Sequence, residues 1–503
     1  MMNDNTKLGF IYCDRRIPYS IINEESETPM YVQEKFKRVF EYYDIYRKGA
    51  EFTTEGTNAD YIASDLKHKM CARLINKEAR FMFAETPDIK VESSNSVDPN
   101  EVIAEFIDNT QAYVDKVLEV NDFDKQLLQA AKDCFIGGRI ACMLNFNVES
   151  GVTITFLKST EFIAEYKEDQ PNILKKFVSF QIIKESDNLS EVRIFKKKYI
   201  LKPSRNNEGE IQDICYAEDS IYDGTGNLLE VTYPLKATEF DKIPAAVFVN
   251  DGLIGDEYGE SEIENLKGYE SQYSKLANAD VDTERKTMNA PRYTIDMEPN
   301  STKGLSTSPG AYWDLTSDQN LESSSPQIGT LENTMSYSTP LDTTLRRIKS
   351  SMYDQVDIPD ISLENMSGMI TSGKALKSVY WPLIVRCKEK MKTWGPKIRY
   401  LISCIIDGAT YYPQTIKKYT SQSIVPFEYV IKIEINYPLP EDEQDEKNID
   451  LQEVMQQTMS KKSYMKKWRL LSDDKANEEL KQIALEKQLF EDSGFSEDDF
   501  ANM

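Results

Sequence analysis

Histidine is nearly absent: His68 is the only one in 503 residues. A metal site built on several imidazoles is therefore excluded, and any Ser-His-Asp or Cys-His mechanism has a single candidate base. That base lies between Lys67 and Lys69 in a helical pattern, where a solvated face is expected. Cysteine is sparse as well. Cys13, Cys71, Cys134, Cys142, Cys215, Cys387 and Cys404 are scattered, with no C-x-x-C pair, so they read as buried free thiols and not as a disulfide or zinc framework. Long apolar runs are missing. The longest that is nearly free of polar residues, 401–406, falls far short of the roughly 20 residues a membrane-spanning helix needs. The mean hydropathy is -0.54. The opening residues show no basic segment followed by an apolar one, so neither membrane insertion nor export is expected, and the chain is expected to mature in cytoplasm. Basic charge is in deficit: 60 Lys and Arg stand against 84 Asp and Glu, for a net charge of -24.

The chain does have material for real cores. Hydrophobic residues make up 40% of it, with 28 Tyr and 21 Phe, which excludes global disorder and, at this length, allows several domains. Over residues 30–138 the periodicity is helical. Val32, Phe36, Val39, Phe40 and Tyr43 recur at three or four residues, as do Ile62, Leu66, Met70, Leu74 and Ile75; Phe123, Leu127, Leu128, Ala131 and Phe135 follow, with a stop at Gly137 and Gly138. Short runs at 139–146, 152–157, 177–183, 192–201, 211–216 and 245–249 predict strands, and Gly224, Gly226 and Asn227 mark a turn. The class is α+β. A helix is predicted over 261–288, opened by a capping box of Ser261 and Glu264. Its scarce apolar surface fits packing against neighbouring copies. Residues 289–340 read as a small projecting module with strand islands at 291–297 and 311–315. Helical spacing returns at Leu341, Leu345, Ile348 and Met352 and stops at Ile358-Pro359. After a connector at 360–372, a helix of about 58 Å is expected over 373–411, bent at Pro382 and at Gly395-Pro396. A strand at 427–437 and charged helices follow, then an acidic tail at 491–503.

Little here points to catalysis. Gly368 to Lys374 has the spacing of a phosphate-binding loop, yet Ala375 stands where a Mg²⁺-binding Ser or Thr is needed, and no buried strand precedes it. Residues 401–407 resemble a strand ending in a metal-binding Asp but lie within a helical pattern. Glu441, Asp442, Glu443, Asp445 and Glu446 lack the spacing of a calcium loop. Basic residues gather at Arg346, Arg347, Lys349, Lys374, Lys377, Arg386, Lys388, Lys390, Lys392, Lys397 and Arg399, reading as a salt-bridging or intersubunit surface. No basic patch interleaved with aromatics, of the kind that grips nucleic acid, is identified.

The order of elements after Gly259 is the most informative feature. A long polar helix leads to a Ser/Thr-rich module, a returning helix, a Pro-stopped connector, a very long kinked helix, a strand and an acidic helical tail. Particular residues accompany this order: Ile358-Pro359, Ser372-Gly373-Lys374-Ala375-Leu376, the strand at 431–440 with Glu441-Asp442-Glu443, Ser472-Asp473-Asp474, and Glu478-Glu479-Leu480. Earlier come Ile75-Asn76-Lys77-Glu78-Ala79, Phe83-Ala84-Glu85-Thr86-Pro87 and the Phe135-Ile136-Gly137-Gly138-Arg139 turn. Over nearly its whole length the chain resembles the portal proteins of tailed bacteriophages.

The resemblance implies an α+β portal fold. Its parts would be an α/β wing at 1–259 joined by 373–436, a two-helix stem at 260–288 and 339–358, and a small β-containing clip at 289–338. A tunnel loop at 359–372, the long kinked wing helix at 373–411 and a helical crown at 437–503 would complete it. It further implies a ring, usually of twelve subunits, at one capsid vertex, through which double-stranded DNA passes without tight binding in packaging and ejection. The partners would be the major capsid protein, scaffolding protein, the terminase large subunit and a head-tail adaptor, in a virion assembled in the bacterial host cytoplasm. Neither membrane, cofactor, metal nor catalytic residue would be involved. Asp360, Ser362, Glu364, Asn365, Met366, Ser367, Met369, Thr371 and Ser372 would line the channel, and Thr302, Lys303, Tyr312 and Trp313 would belong to the docking clip. The charge agrees on physical grounds, because a surface along which DNA slides cannot neutralise many phosphates. Two other readings stay open: a nucleotide-dependent DNA-processing enzyme, resting on Gly368 to Lys374, and another head-tail adaptor. On the conduit reading, Lys374→Ala leaves ATP retention in equilibrium dialysis unchanged, because there is none to lose. ATP bound by the wild type and released by the variant overturns it.

Overall fold

The structure is a computed structural model describing residues 17–54, 61–94, 101–186, 188–205, 211–253, 255–288, 292–298, 325, 327–330, 337–360, 377–420, 424, 428–438, 443–469, 471 and 473–493. It divides into two compact units: Met1–Asp360 with Pro382–Tyr437, and Ile361–Trp381 with Pro438–Met503. The first begins with α1 (Tyr19–Glu25), α2 (Pro29–Lys48), α3 (Met70–Phe83), β1 (Asp88–Ser93), α4 (Glu101–Val120) and α5 (Phe123–Gly137). Strands follow: β2 (Arg139–Asn147), β3 (Gly151–Lys158), β4 (Phe162–Tyr166), β5 (Leu174–Lys184), β6 (Arg193–Arg205), β7 (Ile211–Tyr222), β8 (Leu228–Ala237) and β9 (Ala245–Val249). Then come α6 (Glu262–Met288), β10 (Arg292–Ile295), β11 (Gln327–Thr330), α7 (Ser338–Gln355), α8 (Trp381–Tyr411), α9 (Pro413–Ile416) and β12 (Tyr429–Glu434).

The first unit is layered. β4 to β8 form an antiparallel meander in chain order, and β3-β2-β9 form a second sheet. Ala141, Met143, Phe162, Phe177, Tyr199, Leu201 and Val247 fill a core shared by the two sheets. The other face of the meander carries Ile163, Val178, Phe180 and Ile194 against Ile21, Ile22, Val32 and Phe36 of the first helices. Trp394 of α8 is fully buried against Phe83 and Phe248, with ring centroids 5.1 and 4.8 Å away; a buried aromatic of this size is worth about 1.5–3 kcal/mol. β1 pairs antiparallel with β12, from Asp88 opposite Glu434 to Ser93 opposite Tyr429.

Much of the sequence pattern reappears, with informative differences. α5 ends at Gly137, and Gly138 adopts φ 78°, where a Cβ would stand 2.7 Å from the Tyr258 carbonyl oxygen. The six described cysteines are buried free thiols, and burial pushes Cys215, Cys387 and Cys404 up to about 12. The helical spacing of Ile62, Leu66 and Met70 misleads: residues 62–69 form no helix, with Ile62 and Leu66 exposed, and the helix starts at Met70. β1, β4 and β8 were not anticipated, although β1 and β8 alternate polar and apolar residues. The long helix begins at Trp381, so Pro382 opens it instead of bending it, and Pro396 lies inside. The partner of β10 is β11; the 311–315 island lies outside the described residues.

The second unit contains α10 (Glu443–Met455), α11 (Lys461–Arg469) and α12 (Asp473–Ser493). Met465 and Ala476 are buried, and the Trp468 indole donates to Asp450 at 2.7 Å.

An ion cluster fastens α1 to the meander. Glu25, at the end of α1, meets Lys196 at 2.6 Å, Lys198 at 2.9 Å and Lys176 at 3.2 Å, while Lys196 also donates to the Tyr222 hydroxyl at 2.7 Å. Burial alone would raise the Glu25 pKa; the hydrogen bonds and charges of Lys196 and Lys198 outweigh it and hold the carboxyl at about 2. Its stabilisation is therefore complete above pH 4.5 and is lost as pH falls toward 2. Glu25→Gln leaves buried lysine charge uncompensated and is expected to cost about 3–5 kcal/mol. In urea titrations, the gap between wild type and variant should close as pH drops through that window; a constant gap would show that the cluster carries no ionic stabilisation.

Candidate functional site

The Glu262–Met288 helix buries Glu262 at its start and then a polar side chain at every fourth residue: Glu270, Ser274, Asn278 and Asp282. Opposite the last four runs a strap of residues 50–54 and 61–69. Glu270 accepts from the backbone amides of Ala50 at 3.0 Å and Cys71 at 2.7 Å. Ser274 approaches His68 Nδ1 at 3.5 Å. Asn278 reads both sides of Leu66, accepting from its amide at 2.8 Å and donating to its carbonyl at 2.8 Å. Asp282 accepts from the Ser64 amide at 3.0 Å and from the hydroxyls of Ser64 and Tyr61, both at 2.7 Å. The match is geometric: four helical residues advance about 6.0 Å, and two extended residues about 6.6 Å, so every fourth helix position meets every second strap residue. Gly49, at φ 91°, lets the chain enter, since a Cβ there would lie 2.9 Å from Lys67 Cβ and 3.2 Å from Glu270.

The start of the same helix is held by a four-charge knot. Arg386 Nη2 meets both Glu262 oxygens at 2.7 Å, and its Nε meets Glu78 at 2.9 Å. Lys390, one turn along, contacts Glu78 at 2.5 Å and Glu262 at 2.7 Å, and its ammonium lies 3.8 Å from the centre of the Phe135 ring. Burial opposes ionisation of Glu262, but Lys390 and Arg386 overcome it and hold the carboxyl at about 2. Glu78 is pushed up instead, first by burial, with the neighbouring Glu262 charge adding to it. Ser261 caps the helix by accepting from the Ile263 amide at 3.1 Å. The reciprocal half of the anticipated capping box is not made: Glu264 meets Lys267 and the Tyr42 hydroxyl instead.

This helix packs against the Ser338–Gln355 helix, and between them in sequence β10 and β11 pair from Arg292 opposite Thr330 to Ile295 opposite Gln327. Of the sequence-predicted channel residues, Asp360 is described, and Lys349 meets its carboxylate at 3.0 Å. Ser362, Glu364, Asn365, Met366, Ser367, Met369, Thr371, Ser372 and the clip residues Thr302, Lys303, Tyr312 and Trp313 lie outside the described residues. Asp407, in the metal-site lookalike, sits within the Trp381–Tyr411 helix and pairs with Lys242 at 2.6 Å. Among the described residues no group of three or more His, Cys, Asp and Glu is arranged to hold a metal ion. The strap was missed from sequence, although the four-residue polar interval from Glu270 to Asp282 was a readable signal for it.

A family model described as phage portal protein, SPP1 Gp6-like, matches residues 32–489. The chain belongs to this phage portal family. Portal proteins of this family are structural components of the bacteriophage virion, acting in genome packaging and at the head-tail connector as a ring oligomer that meets capsid and terminase. No curated protein matches the chain. Among the described residues, no helix of this portal protein is long and apolar enough to cross a membrane.

Asn278→Leu removes both contacts to Leu66 and leaves a backbone donor and acceptor without a partner, a loss of about 1–3 kcal/mol. In hydrogen exchange, the Leu66 amide should quicken by about 10- to 100-fold, while the Cys71 amide, held by Glu270, keeps its protection. Unchanged exchange at Leu66 would show that the strap is held by something other than this helix.

Proposed function

We propose that this portal protein forms a ring, of twelve subunits by family habit, around a channel that conducts double-stranded DNA into and out of the capsid. The observation that carries this reading is the helix pair Glu262–Met288 and Ser338–Gln355, packed together and bracketing the small β10–β11 pair within the family match. In this reading the pair is the stem, the intervening module is the clip that docks the terminase large subunit and a head-tail adaptor, and residues 359–372 form the tunnel loop. The layered sheets with the Trp381–Tyr411 helix make the wing, which faces capsid and scaffolding protein, and the charged C-terminal helices make the crown. Assembly takes place in the host cytoplasm.

A conduit of this kind needs a stiff stem and a surface that does not hold DNA. Stiffness is supported by the knot at the helix start and the polar ladder along its length. The net charge of -24 on each copy supports the second requirement, since summed repulsion keeps phosphates from settling on the wall. Catalysis is not required, in keeping with the structural character of the family.

Electron micrographs of the purified protein should show rings with an axial hole, and monomers or closed globules without one would overturn the reading. Within such a ring, Glu364→Lys adds a basic collar that attracts phosphate. DNA packaging should slow at low ionic strength and recover as salt rises, whereas wild-type rates at low salt would place the loop away from the DNA path.

A further inference from the structure

The outer face of α3 is basic throughout. Its exposed residues are Arg73, Lys77 and Arg80, and its one acidic residue, Glu78, is buried in the knot. The three stand at i, i+4 and i+7, within about 60° of one another around the helix and over about 10.5 Å of its length. Lys77 donates to the Tyr353 hydroxyl at 3.3 Å and lies over its ring at 4.8 Å, whereas the side chains of Arg73 and Arg80 take part in no ion pair or hydrogen bond among the described residues. α4 has the opposite character. Glu105, Asp108, Asp115 and Glu119 are exposed on it and fall within about 80° over about 21 Å. Gln111 donates to Asp115 at 2.7 Å and Lys116 meets Glu119 at 2.7 Å, but the side chains of Glu105 and Asp108 have no such partner among the described residues. α3 packs on α2, α5 and α6, and α4 packs on β1 and α5, so each charged face is the side its helix leaves uncovered.

We propose that the basic face of α3 seats the acidic face of α4 from a second copy of this chain. The contact deepens the ring reading and rests on it. A closed ring of more than two copies is joined head to tail, so each subunit must bring two different surfaces that fit each other. Opposite charge on two helices of one chain meets that requirement. Copies carrying -24 each repel one another overall, so their close approach needs a place where the sign reverses, and Arg73 and Arg80 are cations that no carboxylate inside the described chain has taken. The acidic face is the longer of the two and can cover the basic one along its length. Complementary charge of this kind sets orientation and the rate of encounter more than the final affinity. A nucleic acid fits the α3 face less well, because a duplex would leave the α4 carboxylates unanswered and would approach a protein whose summed charge repels it.

The test is a pair of charge reversals in the full-length protein, with ring formation followed by light scattering and electron micrographs. Arg73→Glu/Arg80→Glu leaves two acidic faces, and Glu105→Lys/Asp108→Lys sets added cations opposite a basic one. Each variant alone should form rings at least about 10-fold more slowly than the wild type. An equimolar mixture of the two should recover the wild-type rate, because reversed α3 then meets reversed α4 and the native faces meet at the next contact. Arg73→Lys/Arg80→Lys keeps the charge and should assemble as the wild type does. Raising salt from about 0.01 to about 1 M, which cuts the screening length from about 30 to about 3 Å, should slow the wild type by a similar factor. No recovery in the mixture, with each variant keeping the wild-type circular dichroism spectrum, would overturn the proposal. So would a labelled duplex that binds wild-type rings at low salt and is released by Arg73→Glu/Arg80→Glu rings, which assigns the face to nucleic acid. Rings formed at the wild-type rate by either reversal alone sink this contact and spare the ring reading, whereas the absence of rings in the wild type sinks the ring reading and the contact with it.

Discussion

Two carboxylates and two cations enclosed together, Glu78 and Glu262 with Arg386 and Lys390, decide how the helices of the first unit meet. Each of these charges would be costly to bury alone, since the penalty for removing one ion from water is several kcal/mol. As a group they are neutral, so the cost is met only when three helices, from residues 70–83, 262–288 and 381–411, arrive in one relative placement. The knot is thus better understood as a specification device than as a source of net stability. Glu262 adds a second reason for its position: it is the first residue of its helix, where a negative charge complements the macrodipole.

The same principle extends along the 262–288 helix in neutral and charged forms. An apolar face tolerates small slips, because burial depends on area and not on direction. A ladder of carboxylate and amide groups reading backbone N–H and C=O does not, because a shift of one strap residue would leave buried donors and acceptors unmatched. Scarce apolar surface on this helix, which from sequence fitted contact with neighbouring copies, therefore has an explanation inside the chain. Its inner face is polar by design of the strap, and its other sides remain available to the α7 helix and to assembly.

Charge is distributed with similar economy. The surplus of acid is general, while the cations are committed locally: Arg386 and Lys390 to the knot, Lys176, Lys196 and Lys198 to Glu25, Lys242 to Asp407. What had the appearance of a basic stretch over residues 374–399 is, at buried Lys390 and half-buried Arg386, interior ion pairing.

Several features were legible in the sequence because they are properties of neighbours along the chain. Helix periodicity with the Gly137-Gly138 stop, the alternation behind β2, β3, β5, β6, β7 and β9, the end of the long helix at Tyr411, and the element order that carries the family likeness all depend on spacings of a few residues. β4, at five residues, gave no clean two-residue alternation; β1 and β8 do alternate but were passed over, and β8 is exposed along its length, with a pairing to β7 that shifts register three times. The helical spacing of Ile62, Leu66 and Met70 failed for a related reason. A periodic pattern reports what a segment could bury, but residues 61–69 bury their backbone against polar side chains about 200 positions away. Which carboxylate meets which cation is equally beyond one dimension: Glu78 and Arg386 are 308 residues apart. Local order was determined by the sequence itself, whereas the partners of buried charge and of unpaired backbone were decided only by the tertiary structure, because desolvation makes a charge depend on whatever the fold brings within hydrogen-bonding distance.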